Sequence, residues 1–520
     1  MPEEERPVSL PPEPTSPLHR GQLHMSSGVE STPDYEEKVD RESIVESSSL
    51  KHAPGVLLAT PEEERLLVRK LDKRLLPLTC LLYLFSSLDR SNIGNARLQG
   101  LPEDVLGGDK TGVLFDWLSS GFYFSYILFQ IPATLLSKLC PPRVYVALAA
   151  IGWGLTSTLM ATAFNFPGIM IARLFLGVFE AGFGPVITIY LSFFYTRYEL
   201  GLRLAMWFGF STVAGAFGGL IAFGVQHIQS SVADWRLLFV IEGVPTVILG
   251  IATYFLLPNR PESTTYLTER ERQIAIERMN RDQTGDVGTV LRKAHVKMAM
   301  TDWRVYLAGV IYFGLHTAIA SLGPFLPTII ATFGFGSNAI TQLLTVPPYA
   351  LAGLSMVSCS YTSDRIQNRG VIQGVFAFVG AIGYLILLFV PNNNGVRYFA
   401  TFLITSGAYS SGGIIIAWFN HNLGSETKKA TGIPLFMAIG QCGSVLGTHL
   451  FPKTEGPRYI KGFAVVAGFL VLSGICTLIL SLLYAKENAR RDRLFGKPVR
   501  GMKIDTDSLA DETPEFRYVP

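Results

Sequence analysis

Four ionisable residues stand where apolar side chains would be expected: Asp89, Arg90, Arg173 and Glu180. Charged groups inside long apolar stretches are costly and mark places where ions or substrates are handled. Residues 173–185 run Arg-Leu-Phe-Leu-Gly-Val-Phe-Glu-Ala-Gly-Phe-Gly-Pro. On a helix, Arg173, Gly177, Glu180 and Gly184 form one stripe that alternates a charge with a glycine. The glycines let a second helix or a ligand approach the charges. Arg173 and Glu180 lie about 10 Å apart along the axis, too far for a relaxed pair but suited to a site spanning both. Residues 88–96 run Leu-Asp-Arg-Ser-Asn-Ile-Gly-Asn-Ala. Asp89, Asn92 and Ala96 share one face, and Arg90, Gly94 and Arg97 another, turned by about 100°. Counted from the helix ends, Asp89 lies roughly 12 Å deep and Arg173 roughly 9 Å deep, so the two can meet.

The chemistry these residues suit is the binding of an anion together with a proton. A guanidinium fork matches two carboxylate oxygens, which makes Arg90 and Arg173 the substrate-binding candidates, with Asn92 and His316 beside them. Glu180 and Asp89 are the proton-coupling candidates, Glu180 being the deeper. Adding a monoanion to two arginines and two carboxylates leaves one uncompensated negative charge, which one proton neutralises. The competing readings are an interhelical salt bridge on the 173–184 stripe, an Arg90 that snorkels outward, and a core histidine at 316. Glu242, within Trp235-Arg236-Leu-Leu-Phe-Val-Ile-Glu242, is expected to partner Arg236 or a nearby loop.

The elements that must hold these residues follow from how charge is distributed. Charged residues make up 16% of the chain, against roughly 25% in soluble domains. Of 85 charges, 56 fall in residues 1–74, 258–304 and 486–520, which leaves 8% charge in 75–257 and 305–485. Twelve apolar segments emerge, near 75–96, 114–136, 144–163, 167–191, 204–226, 236–257, 305–331, 339–360, 371–390, 397–419, 430–451 and 461–485. They are too long and too continuously apolar for barrel strands, so they are helices. The expected fold is an all-α membrane protein of twelve transmembrane helices in two pseudo-symmetric six-helix bundles, 75–257 and 305–485. A disordered cytosolic tail (1–74), a charged cytosolic loop (258–304) holding a short helix at 268–280, and a cytosolic tail (486–520) complete it.

With the N-terminus inside, 26 Lys/Arg flank the inner ends and 7 the outer, which places both termini in the cytosol. A six-plus-six bundle with weak internal symmetry is the plan of secondary transporters whose site lies between the halves. Gly215/Gly219 and Gly443/Gly447 are close-packing pairs. Tyr123, Tyr126, Tyr409, Ser410, Trp418 and Gln441 are pocket walls by composition. The five cysteines are scattered singly, no metal spacing occurs, and no Walker, Rossmann or nucleophile-elbow motif is present, so neither a cofactor, nor a metal, nor catalysis is expected. A net charge of +3 without a basic, aromatic-laced patch does not suit nucleic acid.

The segments 88–96, Arg173 through Gly177 to Glu180-Ala-Gly and Pro185, and 235–243 together resemble the major facilitator superfamily. The resemblance is to its anion:cation symporter family, near fungal allantoate and nicotinate permease-like transporters, and it spans about 75–485. It implies proton coupling at Asp89 and Glu180, a substrate carboxylate on Arg90, and an Arg173 that modulates Glu180. The superfamily's loop signature after the second helix, Gly-x-x-x-Asp-Arg-x-Gly-Arg, is reduced here to Lys138-Leu-Cys-Pro-Pro-Arg143. The second copy keeps Ser363-Asp364-Arg365 and Arg369-Gly370. Lys138, Arg143, Asp364, Arg365 and Arg369 are therefore gating candidates, with the two halves gated differently. The fifth helix lacks the Gly-Pro pair of proton-antiporting drug exporters.

The expected function is proton-coupled uptake of a small organic anion such as nicotinate, allantoate or a related nutrient acid, by a monomer in the plasma membrane. The alternatives are an exporter of an anionic secondary metabolite and a non-transporting nutrient receptor.

Overall fold

The computed structural model describes residues 59–109, 111–282, 292–334, 338–497 and 509–520. A helix stands at each of the twelve apolar segments. They are α1 (Pro61–Arg97), α2 (Val113–Leu139), α3 (Pro142–Met160), α4 (Phe166–Glu180, resumed as Phe183–Leu191), α5 (Arg197–Val225) and α6 (Asp234–Leu256). The second set is α7 (Trp303–Ala331), α8 (Asn338–Leu344, resumed as Val346–Ile366), α9 (Arg369–Phe389), α10 (Asn394–Asn422), α11 (Glu426–Thr448) and α12 (Ile460–Phe495). Among the described residues, ten of these are long and apolar enough to cross a membrane by length and composition. The other two are α1, which carries Asp89 and Arg90, and α2, whose lipid-length run is broken by serines, Gln130 and Pro132.

The breaks in α4 and α8 have a common cause. Proline has no N–H and its ring crowds the carbonyl four residues earlier. Pro185 strikes Ala181, where α4 unwinds over Ala181–Gly182, and Pro347 and Pro348 interrupt α8 at Thr345. The expected single helix over 167–191 is thus two, with the turn directly after Glu180.

Packing repeats from one half to the other. In the first half α1 lies on α5 and α6, α2 on α4, and α3 on α4 and α6; in the second α7 lies on α11 and α12, α8 on α10, and α9 on α10 and α12. Adding six to each number converts one pattern into the other. The same operation relates the two main contacts between halves, α5 with α8 and α2 with α11. The Gly215/Gly219 pair serves this seam, since Gly215 meets the Tyr349 ring and Gly219 meets Gln342 and Thr345. Gly443 and Gly447 instead admit the backbone of α7 at Phe313 and Thr317, inside the second half. A Cβ on Gly443 would run into the Phe313 carbonyl. Gly443→Val is therefore expected to destabilise the solubilised protein by about 1–3 kcal/mol, seen as a lower Tm; an unchanged Tm would mean the two helices are not in this contact.

The tails differ from expectation. Residues 61–74, expected to be disordered, form the start of α1, capped by a reciprocal Thr60–Glu63 box. Residues 1–58 lie outside the described residues. The loop helix, expected at 268–280, spans Glu269–Asp282. It ties the first half together through Lys70–Glu271 (2.7 Å), Arg270–Glu63 (3.3 Å) and Arg278–Glu199 (3.1 Å). At the other end of the chain α12 continues to Phe495, and residues 509–520 pack into the second half, with Phe516 and Tyr518 buried.

Candidate functional site

The consecutive charges of α1 part company as the helical step requires. Asp89 turns into the first half and is fully buried. Its carboxylate accepts from the Ser157 hydroxyl of α3 and, at 3.3 Å, from Thr246 of α6. Asn92, one turn on, faces the same way. Arg90 turns toward the seam and donates from Nε to Glu180 Oε1 at 2.6 Å, with Nη2 at 2.5 Å from the same oxygen. Ser86, one turn before Arg90, donates its hydroxyl to that oxygen too. Glu180 Oε2 is buried without a hydrogen-bond partner. The Arg90 guanidinium lies 5.4 Å from the Phe122 ring centre and 5.0 Å from that of Tyr126, close enough for a cation–π attraction to both rings.

Arg173 is held differently. Nη1 donates to the Asp89 carbonyl and Nη2 to Asn92 Oδ1, both at 3.3 Å, while the buried Nε has no partner. Among the described residues no carboxylate lies within 4.0 Å of it. Asp89 and Arg173 thus meet as their depths suggest, but through the aspartate's main chain. Gly177 between the two charges of α4 admits Phe122 and Ser125 of α2.

Glu242 corrects an expectation. It does not reach Arg236, which pairs with Asp104 at 3.0 Å and donates to the Ala161 carbonyl at 2.7 Å. The residues are six apart on α6 and leave it on different sides. Glu242 is buried, both carboxyl oxygens lack a hydrogen-bond partner, and Asp89, Asn92 and Arg173 are the polar groups around it. The buried cluster therefore holds three carboxyl groups and two guanidiniums, one carboxyl more than the sequence arithmetic included.

Between the halves a cavity of about 90 Å³ is lined from the first half by Arg90, Arg173, Ser119 and Tyr123 and from the second by His316, Tyr349, Tyr409 and Gln441. Asp89, Asn92 and Glu180 stand behind the two arginines rather than on the wall. His316 packs against Tyr312 with ring centres 4.1 Å apart and planes tilted by 49°, and shares a 3.2 Å contact from Nδ1 with Ser444, whose hydroxyl donates to Gln441 at 2.7 Å. The serine has one proton to give, so its oxygen accepts from Nδ1–H, and His316 Nε2, buried and without a partner, carries the lone pair. Of the expected walls, Tyr123, Tyr409 and Gln441 line the cavity and Tyr126 a smaller one beside it. Ser410 faces Ser355, and Trp418 is spent on the carbonyl of Val519.

The halves touch on both sides of the cavity. On one side Gly94 abuts Pro324, Arg97 faces Phe325 at 5.7 Å, and Trp117 meets His449 edge-on at 5.3 Å. On the other, Lys138 reaches Thr427 at 3.4 Å, Asn420 donates to the Thr188 carbonyl at 3.4 Å, and the Asp364–Arg369 pair (2.9 Å) lies against Gly201 of α5. Two of the gating candidates sit elsewhere. Arg143 packs over Tyr254 within the first half, and Arg365 lies exposed over Tyr361.

A family model described as Major Facilitator Superfamily matches residues 79–448. The major facilitator-type transporter hxnP of Emericella nidulans is 34% identical over 469 residues, covering 88% of this chain and 93% of its own. The high-affinity nicotinic acid transporter of Saccharomyces cerevisiae is 32% identical over 463 residues, covering 88% and 85%. The solved structure of the proton:xylose symporter XylE superposes with a TM-score of 0.62 at 13% identity, covering 82% of this chain and 97% of its own.

Proposed function

This chain belongs to the Major Facilitator Superfamily, and we propose that it is a proton-coupled importer of a small organic monocarboxylate. One observation carries the reading: Arg90, on the cavity wall, is held by a carboxylate, Glu180, that a proton can remove. A substrate carboxylate and ionised Glu180 compete for the same guanidinium. When Glu180 takes a proton, its unpartnered Oε2 has a place for it, and the Ser86 hydroxyl remains bonded to the group. Arg90 is then free to accept the substrate. One carboxylate replaces another and the charge of the cluster is unchanged, so one monoanion travels with one proton. Arg173, whose donors meet only neutral acceptors, supplies the positive potential that draws the anion in. Binding drives the exchange of facing only as far as the two states differ in affinity.

The modest cavity and its aromatic walls support a compact, planar acid over a bulky metabolite. Nicotinate, which the yeast relative's name specifies, is the first acid to try. Purified protein in proteoliposomes, offered a panel of such acids with and without an inward proton gradient, tests the reading. Accumulation that ignores the gradient, or uptake of nicotinamide as fast as nicotinate, would overturn it.

The proposed setting is the plasma membrane, with the monomer's two termini in the cytosol. Epitopes placed at residue 30, in the loop at 285, and between 498 and 508 should all be reached only after permeabilisation. One of them detected on intact cells would overturn the topology. Position 510 is unsuited to a tag, because Ala510 is buried against Gly424.

A further inference from the structure

The last twelve residues occupy a site built as if for a peptide. Two asparagines each clasp one residue's main chain. Asn488 donates to the Tyr518 carbonyl at 2.7 Å and accepts from its N–H at 2.9 Å. Asn422 does the same for Val519 at 3.0 and 2.8 Å. Trp418 adds a second donor to the Val519 carbonyl at 2.7 Å, and the Gly370 N–H meets the Pro520 oxygen at 3.2 Å. Arg491, itself buried, donates to the carbonyls of Asp511, Thr513 and Phe516 at 2.9–3.0 Å. Side chains that spend their hydrogen bonds on main-chain groups hold an extended segment in place much as peptide-recognition sites do.

Two side chains of the segment give the site selectivity. Asp511, 1% exposed, receives Lys428 at 2.6 Å and Arg304 at 3.4 Å, while the Tyr518 hydroxyl donates to it at 3.0 Å. Tyr518 stacks on Tyr484 with centroids 4.7 Å apart and planes 16° apart. The cradle is drawn from α7, α9, α10, α11 and α12, so the segment fastens together five helices of the second half. It also sits on the α10–α11 turn, where Gly424 admits the backbone of Ala510 and Asp511. The residues flanking that turn are those that reach the first half: Asn420 toward Thr188 and Thr427 toward Lys138.

We propose that residues 509–520 are an intramolecular peptide ligand, a strap, whose docking holds the α10–α11 turn in position to close the gate against the first half. This goes beyond the transport reading and does not depend on which solute is carried. Release of the strap frees Lys428 from one of its two carboxylates and removes the backbone packed on Gly424. The turn then loses its support while the helices above it remain.

The test needs no transport assay. A chain ending at Ser508 is prepared beside the full chain, and hydrogen exchange of residues 418–430 is followed by mass spectrometry. The shortened chain should exchange there at least tenfold faster. A synthetic peptide of residues 509–520 should bind it saturably, restore slow exchange, and fail to bind the full chain, whose site is filled. The same peptide carrying Asp511→Asn should bind at least tenfold more weakly. Unchanged exchange at 418–430, or no peptide binding by a folded shortened chain, overturns the proposal. Should the shortened chain fail to fold, Asn422→Ala in the full chain replaces it. Exchange must then rise at 509–520 and at 418–430 together, and a rise at neither or only one overturns the proposal equally.

Discussion

Arg90→Lys is expected to weaken binding of the acid by about 3 kcal/mol, on the order of a hundredfold, in protein that still folds and reaches the membrane. Arg90 now places two nitrogens on one Glu180 oxygen and lies over the neighbouring Phe122 and Tyr126 rings. Lysine keeps the charge, so Glu180 is not left buried without a counterion, a loss that costs about 3–5 kcal/mol when one partner of a buried pair is deleted. What lysine lacks is the planar fork that meets both oxygens of a carboxylate. The measurement is equilibrium binding of radiolabelled nicotinate, or of the best acid from the uptake panel, to purified protein. Wild-type affinity would remove Arg90 from the site. Arg173 would then become the anchor, since it faces the cavity and no carboxylate holds it.

How far the site was legible in the sequence depends on whether one helix or two had to be known. The separation of Asp89 from Arg90 follows from a helical step alone, and the structure sends them to different faces of α1. Ser86, which shares Glu180 with Arg90, stood one turn away on the same helix and could have been named. Ser157 and Thr246, which hold Asp89, could not. They come from α3 and α6, and the register between helices is set by packing that no single-helix periodicity contains. The Arg90–Glu180 pair was hidden for the same reason. Along its own helix Glu180 points to Arg173 seven residues away, while its partner, Arg90, comes from α1.

The second half and the tails show another limit. Its cavity wall is uncharged, and polar and aromatic residues there are common enough in membrane helices that Tyr409 and Trp418 looked alike. One lines the cavity and the other holds the chain terminus. The terminal segment itself carried a signal that its charge obscured. Phe516, Arg517 and Tyr518 alternate apolar and polar, the period of an extended segment with one face buried. Phe516 and Tyr518 are the residues that go in. Residues 61–74 likewise looked like tail because they are charged, yet Thr60 and Glu63 form a capping box, a start signal that outweighs composition.

Glu180→Gln should separate binding from accumulation. The amide matches the shape of the protonated acid and still accepts from Ser86 through its carbonyl, but it cannot hold Arg90 as an ion pair. Arg90 is therefore permanently available, and the site behaves as if the proton were always bound. Three results should coincide. Affinity for the acid should lose the pH dependence that competition with ionised Glu180 imposes. Exchange of labelled for unlabelled acid across the membrane should persist, since it needs no net proton movement. Accumulation driven by a pH gradient should disappear, because the amide has no proton to release when the site faces the alkaline side. A structural role alone would lower exchange and accumulation together, so the split between them is the diagnostic. If Glu180→Gln still concentrates the acid with wild-type pH dependence, the proton is carried elsewhere. Asp89 and Glu242 are the remaining buried carboxyls beside Arg173, and they differ in one respect that decides the order of testing. Asp89 is held by Ser157 and Thr246, whereas Glu242 has no hydrogen-bond partner for either oxygen. Glu242→Gln removes the charge and keeps the shape of the side chain, so it separates protonation from packing, and that variant should come first.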